Sequence, residues 1–260
     1  FDVVTWTGNG TAGRTISHNL GTTVGCVMIK NTSNAENWMV YHIGSGIDGQ
    51  LNLNTNAAAV DESSQFNDTV PSSTVLTLGA NSEVNYNGQT YVAYLFAHDT
   101  DASSIIKCGS YTGTGSANNA VTLGWEPQWL IVKSASGTGS VQNWDMFDNQ
   151  RGFSSGSTTG ELFPNTAIAE RTVSNRMNAT ATGFSTGTSS VDEINASGIT
   201  YIYMAIRAEN IPTITYDPTL QWSGGTAPTL PATGEKDVIT FNTTDGGTTY
   251  KSALAIDGAK

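Results

Sequence analysis

An all-β fold, made of two tandem β-sandwiches and a small C-terminal β-hairpin module, is predicted by three observations. One phrase of turn and strand occurs twice in the chain, Gly, Thr, Ser and Asn crowd the intervals between short apolar runs, and turn signals recur with no sustained helical periodicity. The repeated phrase is the most informative. Asn85-Tyr86-Asn87-Gly88 leads into Thr90-Tyr91 and an apolar run through Phe96, and far downstream Asn195-Ala196-Ser197-Gly198 leads into Thr200-Tyr201 and a run through Ile206. Each copy reads as a turn feeding a strand that is apolar on both faces.

Taken in order, the first copy covers about 1–100. Phe1 to Trp6 with Thr7-Gly8-Asn9-Gly10 is a strand and glycine turn, and Ile105 to Tyr111 with Thr112-Gly113-Thr114-Gly115 repeats it. The correspondence runs on through His18-Asn19-Leu20-Gly21 and Val121-Thr122-Leu123-Gly124, then Val27-Met28-Ile29-Lys30 and Leu130-Ile131-Val132-Lys133. Asn37-Trp38 answers Asn143-Trp144, and Asn54-Thr55 answers Asn165-Thr166. Gaps fall where Gly and Ser cluster, as insertions into turns should. The second copy therefore covers about 105–210, with Asp99 to Ser104 as a hinge. Ala57 to Val60 is the one stretch that could turn once as a helix. Short strands at this spacing favour a sandwich of jelly-roll or lectin-like type over a stacked solenoid.

From Ile211 the pattern breaks. Pro212, Pro218, Pro228 and Pro231 punctuate the segment, and Asp237 to Phe241 with Thr248 to Tyr250 form a hairpin around Asp245-Gly246-Gly247. Residues 211–260 hold too little core to stand alone and must lean on a neighbour. The chain opens without an initiator Met or a leader and reads at once as a strand, the expectation for a piece of a longer or processed polypeptide.

Charged residues are 13% of the chain and the formal net charge is -11. That balance argues against nucleic acid or an anionic membrane as partner and leaves neutral ligands such as sugars open. No apolar run is long enough for a membrane helix. Cys26 and Cys108 sit in strand-like surroundings and are expected as buried free thiols, so no disulfide framework is expected.

The chemistry-bearing residues do not assemble into a catalytic pattern. His18, His42 and His98 all lie in the first copy, and none stands at ligand spacing from another or from a cysteine. No Gly-x-Ser-x-Gly elbow accompanies a Ser-His-Asp set. Asp99, Asp101, Asp145, Asp148, Asp192 and Glu193 could supply the carboxylate pair of a glycosidase, but acids at turn ends more often cap turns. Asp99-Thr100-Asp101 lacks the glycine spacing of a calcium loop. The expectation is no catalysis, no metal and no cofactor.

Aromatic side chains matter more, because a sugar ring stacks on them while its hydroxyls pair with nearby polar groups. Trp38 and Trp144 recur in both copies within apolar strands and are expected as core anchors. Aromatics placed in turns of one copy only are the ligand candidates: Tyr86, Trp125 beside Glu126, and Phe153 beside Arg151. Val92, Tyr94 and Phe96, with Ile202, Met204 and Ile206, are expected to face the sandwich cores. The other side of these strands, Tyr91, Ala93, Leu95 and Ala97 or Tyr201, Tyr203, Ala205 and Arg207, is too apolar for water and should pack on edge loops, the partner domain or another subunit.

The first-copy motifs Thr7-Gly8-Asn9-Gly10, Ile16-Ser17-His18-Asn19-Leu20-Gly21, Met28-Ile29-Lys30-Asn31, Asn37-Trp38, Leu53-Asn54-Thr55 and Thr90 to Ala97 resemble a repeated β domain of tail-fibre-like and appendage proteins of tailed bacteriophages. Gln221 to Leu230, Asp237 to Phe241 and Asp245 to Tyr250 resemble a C-terminal module of the same class. The resemblance implies a component of an extracellular particle, a homotrimer with other virion proteins as partners, whose outer domains touch the host surface. The second copy departs from the pattern where His18 becomes Val121 and His98 becomes Ala208. The leading expectation is a non-enzymatic structural and adhesive virion protein contacting bacterial surface glycan. A capsid decoration or head fibre, and the carbohydrate-binding part of a secreted glycan-degrading enzyme, are the alternatives.

Overall fold

The computed structural model describes residues 1–101, 104–136, 142–153, 158–187, 193–208, 221–222, 236–243 and 250–259, the last three segments by their backbone. The chain divides into two compact units, Phe1–Glu209 and Asn210–Lys260. The fold is all-β.

The N-terminal half of the first unit contains β1 (Asp2–Thr7), β2 (Arg14–Ser17), β3 (Val24–Asn31), β4 (Trp38–His42), β5 (Gly46–Asn52), the short helix α1 (Ser63–Phe66), β6 (Val75–Leu78) and β7 (Thr90–Ala97). Its sheets run β1-β7-β3-β4-β5 and β2-β6. The C-terminal half contains β8 (Ile106–Thr112), β9 (Ala120–Thr122), β10 (Pro127–Ser134), β11 (Asp145–Asp148), β12 (Thr158–Glu161), β13 (Arg171–Ser174), β14 (Met177–Thr180), β15 (Gly183–Thr186) and β16 (Thr200–Arg207). Here the orders are β8-β16-β10-β11, β9-β15-β14 and β12-β13. Four strands of the first large sheet, β1-β7-β3-β4, match the four of the second in order, and β5 extends the first alone. Thr7 faces Thr90 across β1 and β7, as Thr112 faces Thr200 across β8 and β16. Both long strands β3 and β10 slip register at the same place, between Val24 and Cys26 and between Pro127 and Trp129. An extra residue there bends each strand at one point.

The repeated turn phrase explains why the halves fold alike. The Asn85 Oδ1 accepts the Asn9 N–H at 3.1 Å and its amide donates to the Thr11 carbonyl at 2.9 Å. Asn195 does the same for Thr114 at 3.0 Å and Ser116 at 2.6 Å. The following tyrosine closes the turn, its Oη accepting the Tyr86 N–H at 2.8 Å and, in the other half, the Ala196 N–H at 2.9 Å. The preceding glycine permits the approach, because a Cβ on Gly8 or Gly113 would collide with the carbonyl oxygen of Tyr86 or Ala196. A second clamp is duplicated as well. Asn54 Oδ1 accepts the Trp38 N–H at 2.8 Å while its amide donates to Asn37, and Asn165 serves Trp144 at 3.0 Å and Asn143 likewise.

Each half has its own core. Trp6, Ile29, Phe66, Tyr91, Ala93 and Leu95 belong to one cluster, and Tyr111, Leu130, Phe147, Phe184, Tyr201 and Ala205 to another. Trp6 stacks on Tyr91 at 5.5 Å and Tyr111 on Tyr201 at 5.2 Å. A third cluster joins the halves, with Cys26, Val40 and Leu51 meeting Cys108, Ile131, Trp144, Ile202 and Met204.

This arrangement reverses the expected faces of the central strands. The Tyr91, Ala93, Leu95 side lines the sandwich core, and so does Tyr201, Tyr203, Ala205. Val92, Tyr94 and Phe96 are half-buried on the outer face, Ile202 and Met204 are buried between the halves, and Ile206 is half-buried beside them. Trp144 is buried at that seam, whereas Trp38 is only half-buried on the outer face, so neither anchors a sandwich core. Alternation cannot choose between two apolar faces, and the tyrosine tied to its turn makes the choice.

The helix also moves. It forms at Ser63–Phe66, while Val60 pairs instead with Gln50 in an isolated bridge. Cys26 and Cys108 are buried free thiols. Within the expected hinge, residues 102 and 103 lie outside the described residues. In the second unit β17 (Gln221–Trp222), β18 (Lys236–Thr243) and β19 (Tyr250–Ala259) form a sheet in the order β17-β19-β18, with β18 and β19 antiparallel. The Asp245-Gly246-Gly247 turn lies outside the described residues.

Candidate functional site

Polar side chains converge most densely inside the C-terminal half. Asp145 from β11, Glu161 from β12 and Glu193 ahead of β16 bring carboxylate oxygens within 4.8 Å of one another. Arg171 on β13 bridges Glu161 at 2.6 Å and also pairs with Glu193. Arg176 reaches Glu161 at 3.2 Å and Glu193 at 2.5 Å. The Arg171 guanidinium also lies 4.9 Å from the centre of the Phe163 ring. Burial, then the neighbouring Glu161 charge and a hydrogen bond with it, push the Asp145 carboxyl well above the usual carboxylate range. Burial raises the Glu193 carboxyl, but the hydrogen bonds and charges of Arg171 and Arg176 together outweigh it and hold the pKa below its ordinary value.

These groups suit structure better than chemistry. Two arginines pair with Glu161 and Glu193, and the buried Lys133 interacts electrostatically with Asp145. A divalent cation would have to share Glu161 and Glu193 with both arginines, so the donor set does not fit one. Asp145 and Glu161 are 1% and 0% exposed, which denies a sugar access to them as a glycosidase pair. The N-terminal half builds the corresponding centre from one carboxylate and the neutral amides of Asn37 and Gln65. Glu83 accepts Asn37 at 2.9 Å and Gln65 at 2.6 Å. Gln65 and Arg176 occupy one position, since each carbonyl accepts a glycine N–H, from Gly79 at 2.8 Å and Gly187 at 3.0 Å. Sequence reading singled out Asp145 and Glu193 but missed Glu161, Arg171 and Arg176. Asp192 lies outside the described residues.

The ligand candidates are scattered. Tyr86 is 54% exposed at its turn. Trp125 is buried in the second core and donates from Nε1 to Ser104 Oγ at 3.2 Å. Phe153 is fully buried beside Phe147. Neither can meet a ligand from outside: an aromatic ring at a turn closes the end of the sandwich when folding it inward removes apolar surface from water. Arg151 is paired with Asp148 and approaches Glu170 at 3.7 Å.

The histidines are separate too. His18 is buried, and desolvation lowers its pKa. His42 is buried at the seam, with Nε2 3.0 Å from the Tyr203 carbonyl and Nδ1 accepting the Gly44 N–H at 3.0 Å. Those partners require the neutral ring protonated on Nε2, and burial drives its pKa down to about 4.

Among the described residues, the outer face of the β1-β7-β3-β4 part of the first sheet stays partly open. Register sets its rows: Thr7, Thr90 and then Thr32 just past β3; Thr5, Val92, Lys30 and Trp38; Val3, Tyr94 and Met28. The Trp38 and Tyr94 rings lie 6.2 Å apart and 26° from parallel. At the threonine end an open cleft of about 420 Å³ is lined by Thr5, Thr7, Thr32, Thr90 and Val92. Towards the seam an apolar groove of about 370 Å³ runs between Met28, Leu53 and Phe96 on one side and Trp129, Met146 and Ile206 on the other.

The chain belongs to the family described as a domain of unknown function, DUF7483, which matches residues 1–210. No curated protein matches it, and no solved structure does.

Proposed function

We propose that this member of the family is a non-enzymatic structural and adhesive component of a phage virion, a tail fibre or similar appendage. In this reading 1–100 and 105–210 are tandem sandwich domains, 211–260 is a C-terminal module, and the chain assembles as a homotrimer with other virion proteins on the particle surface. Its outward domains contact bacterial surface glycan. One observation carries the reading: the residues of the repeated phrases are committed to holding the fold. Asn85 and Asn195, Tyr91 and Tyr201, and Asn54 and Asn165 each spend their polar atoms on the same backbone groups in the two halves. The densest cluster of acids is closed by its own arginines. A protein so built is suited to project and to hold.

The test is immunogold labelling of intact particles with antibody to this chain, together with binding of the fluorescent chain to whole bacteria. Label on the tail or its fibres and saturable binding to cells is the expected result. Label confined to the head shell would make the chain a capsid decoration. Absence from particles, or lack of cell binding, would overturn the corresponding half of the proposal.

A further inference from the structure

We propose that the open face around Trp38 and Tyr94 is the glycan-binding surface, and that its ligand is an uncharged polysaccharide chain. The inference rests on the adhesive reading and adds a place and a ligand class to it. The two halves build the same sheet, yet they use its outer face differently. Trp144, Met204 and Ile202, which stand where Trp38, Tyr94 and Val92 stand in the other half, are buried at 2%, 3% and 1% exposure. Trp38, Tyr94 and Val92 remain half-exposed. A half that buries this face at the seam and another that leaves part of it open differ in what the face is free to touch.

The chemistry of the open face selects the ligand. Two near-parallel aromatic rings give apolar surface of the size a pyranose covers, and aromatic side chains offer that area at small entropic loss. Beside them Thr5, Thr7, Thr32 and Thr90 supply hydroxyls, and Thr32 and Thr90 approach each other at 2.6 Å. The hydroxyls of Thr32, Ser33 and Thr90 pair with one another and keep lone pairs to offer the hydroxyls of a ligand. The chain carries 22 acids, but the sheet positions of this face carry none, and Lys30 is their one cation, donating to the Glu36 carbonyl. A face without carboxylates and with its cation engaged matches a neutral chain of rings and hydroxyls. The cleft at one end and the apolar groove at the other extend the surface along more than one sugar.

The experiment is affinity electrophoresis of the full chain through gels containing neutral bacterial O-polysaccharides, neutral capsular polysaccharides or acidic capsular polysaccharides. Four variants are compared with the parent: Trp38→Ala, Tyr94→Ala, Thr5→Arg and Tyr86→Ala. Thr5→Arg crowds the face from an exposed site on an edge strand and removes no packing, so it serves if an aromatic variant fails to fold. Retention of the parent by a neutral polysaccharide, a fall of tenfold or more in affinity for the three face variants, and an unchanged Tyr86→Ala are expected. Parent binding that survives all three face substitutions would overturn the site and leave the adhesive reading standing. Retention by acidic polymers alone would overturn the ligand class. A parent that binds none of them would remove the adhesive reading and this inference with it. Loss of oligomer mass by light scattering in the face variants, with retention intact, would make the face a contact between copies and overturn the proposal.

Discussion

Asn195 holds its turn through the Thr114 N–H and the Ser116 carbonyl, and the turn in turn receives the Tyr201 hydroxyl. Asn195→Ala removes these part-buried bonds, so a loss of about 1–3 kcal/mol is expected from two or three missing bonds, read as a lower urea midpoint. Asn85→Ala should weaken the other half by a similar amount. Asp145 gives a prediction of opposite kind. Its folded-state pKa is raised, so the folded chain binds more protons than the unfolded one, and stability falls as pH rises from the ordinary Asp range through that folded value. Asp145→Asn should flatten this fall and make the variant relatively more stable at alkaline pH, measured by melting temperature across pH; an unchanged slope would contradict it. The asparagine clamps were legible because the phrase that contains them is written twice. The acid-arginine centre was not, because Asp145, Glu161, Arg171, Arg176 and Glu193 come from separate strands and turns that only the fold brings together, and of its members only Glu193, in Glu193-Ile194-Asn195, has a like residue in the other half, in Glu83-Val84-Asn85.

The strands β7 and β16 were legible as elements and misread as surfaces. Thr90 to Ala97 is rich in aromatic and branched residues and is central in its sheet, as expected, but both of its faces are apolar. The odd positions enter the core and the even positions form the outer face, which a tyrosine anchored to its own turn decides. Leu95→Ala should therefore cost about 2–5 kcal/mol as a cavity in a packed core, while Val92→Thr on the open face should change stability by about 0.5 kcal/mol or less. Equal losses in thermal unfolding would contradict the assignment of faces. Trp125 and Phe153 teach the same lesson for turns. Their flanking Gly, Glu and Arg residues suggest exposure, yet each ring closes the end of its sandwich.

At the scale of the molecule, the seam between the halves is apolar with a few polar ties. The Trp144 Nε1 donates to the Asn52 carbonyl at 3.0 Å, Lys133 reaches the Asn56 carbonyl at 3.3 Å, and His42 joins β4 to β16. A histidine with an ordinary pKa of 6.5 that folding pushes down to about 4 contributes stability that is present above pH 6.5 and is lost as pH falls through 4. The full difference is about 3 kcal/mol. His42→Gln should flatten that acid limb, and the protection factors of seam amides in the parent, that is, their exchange relative to the intrinsic rate at each pH, should fall between pH 7 and pH 4.5. The duplication was legible from composition and order, whereas the face-to-face contact of the halves was not, since nothing in a strand says which neighbour covers it. Among the described residues the first sheet keeps an aromatic and hydroxyl-lined surface open, and the functional account depends on that surface holding a glycan without altering it. The most direct test is to incubate the purified chain with a polysaccharide that retains it and then to measure the polymer's size distribution and reducing ends. The account predicts a bound polymer of unchanged length with no new reducing ends, and shortened chains would contradict it.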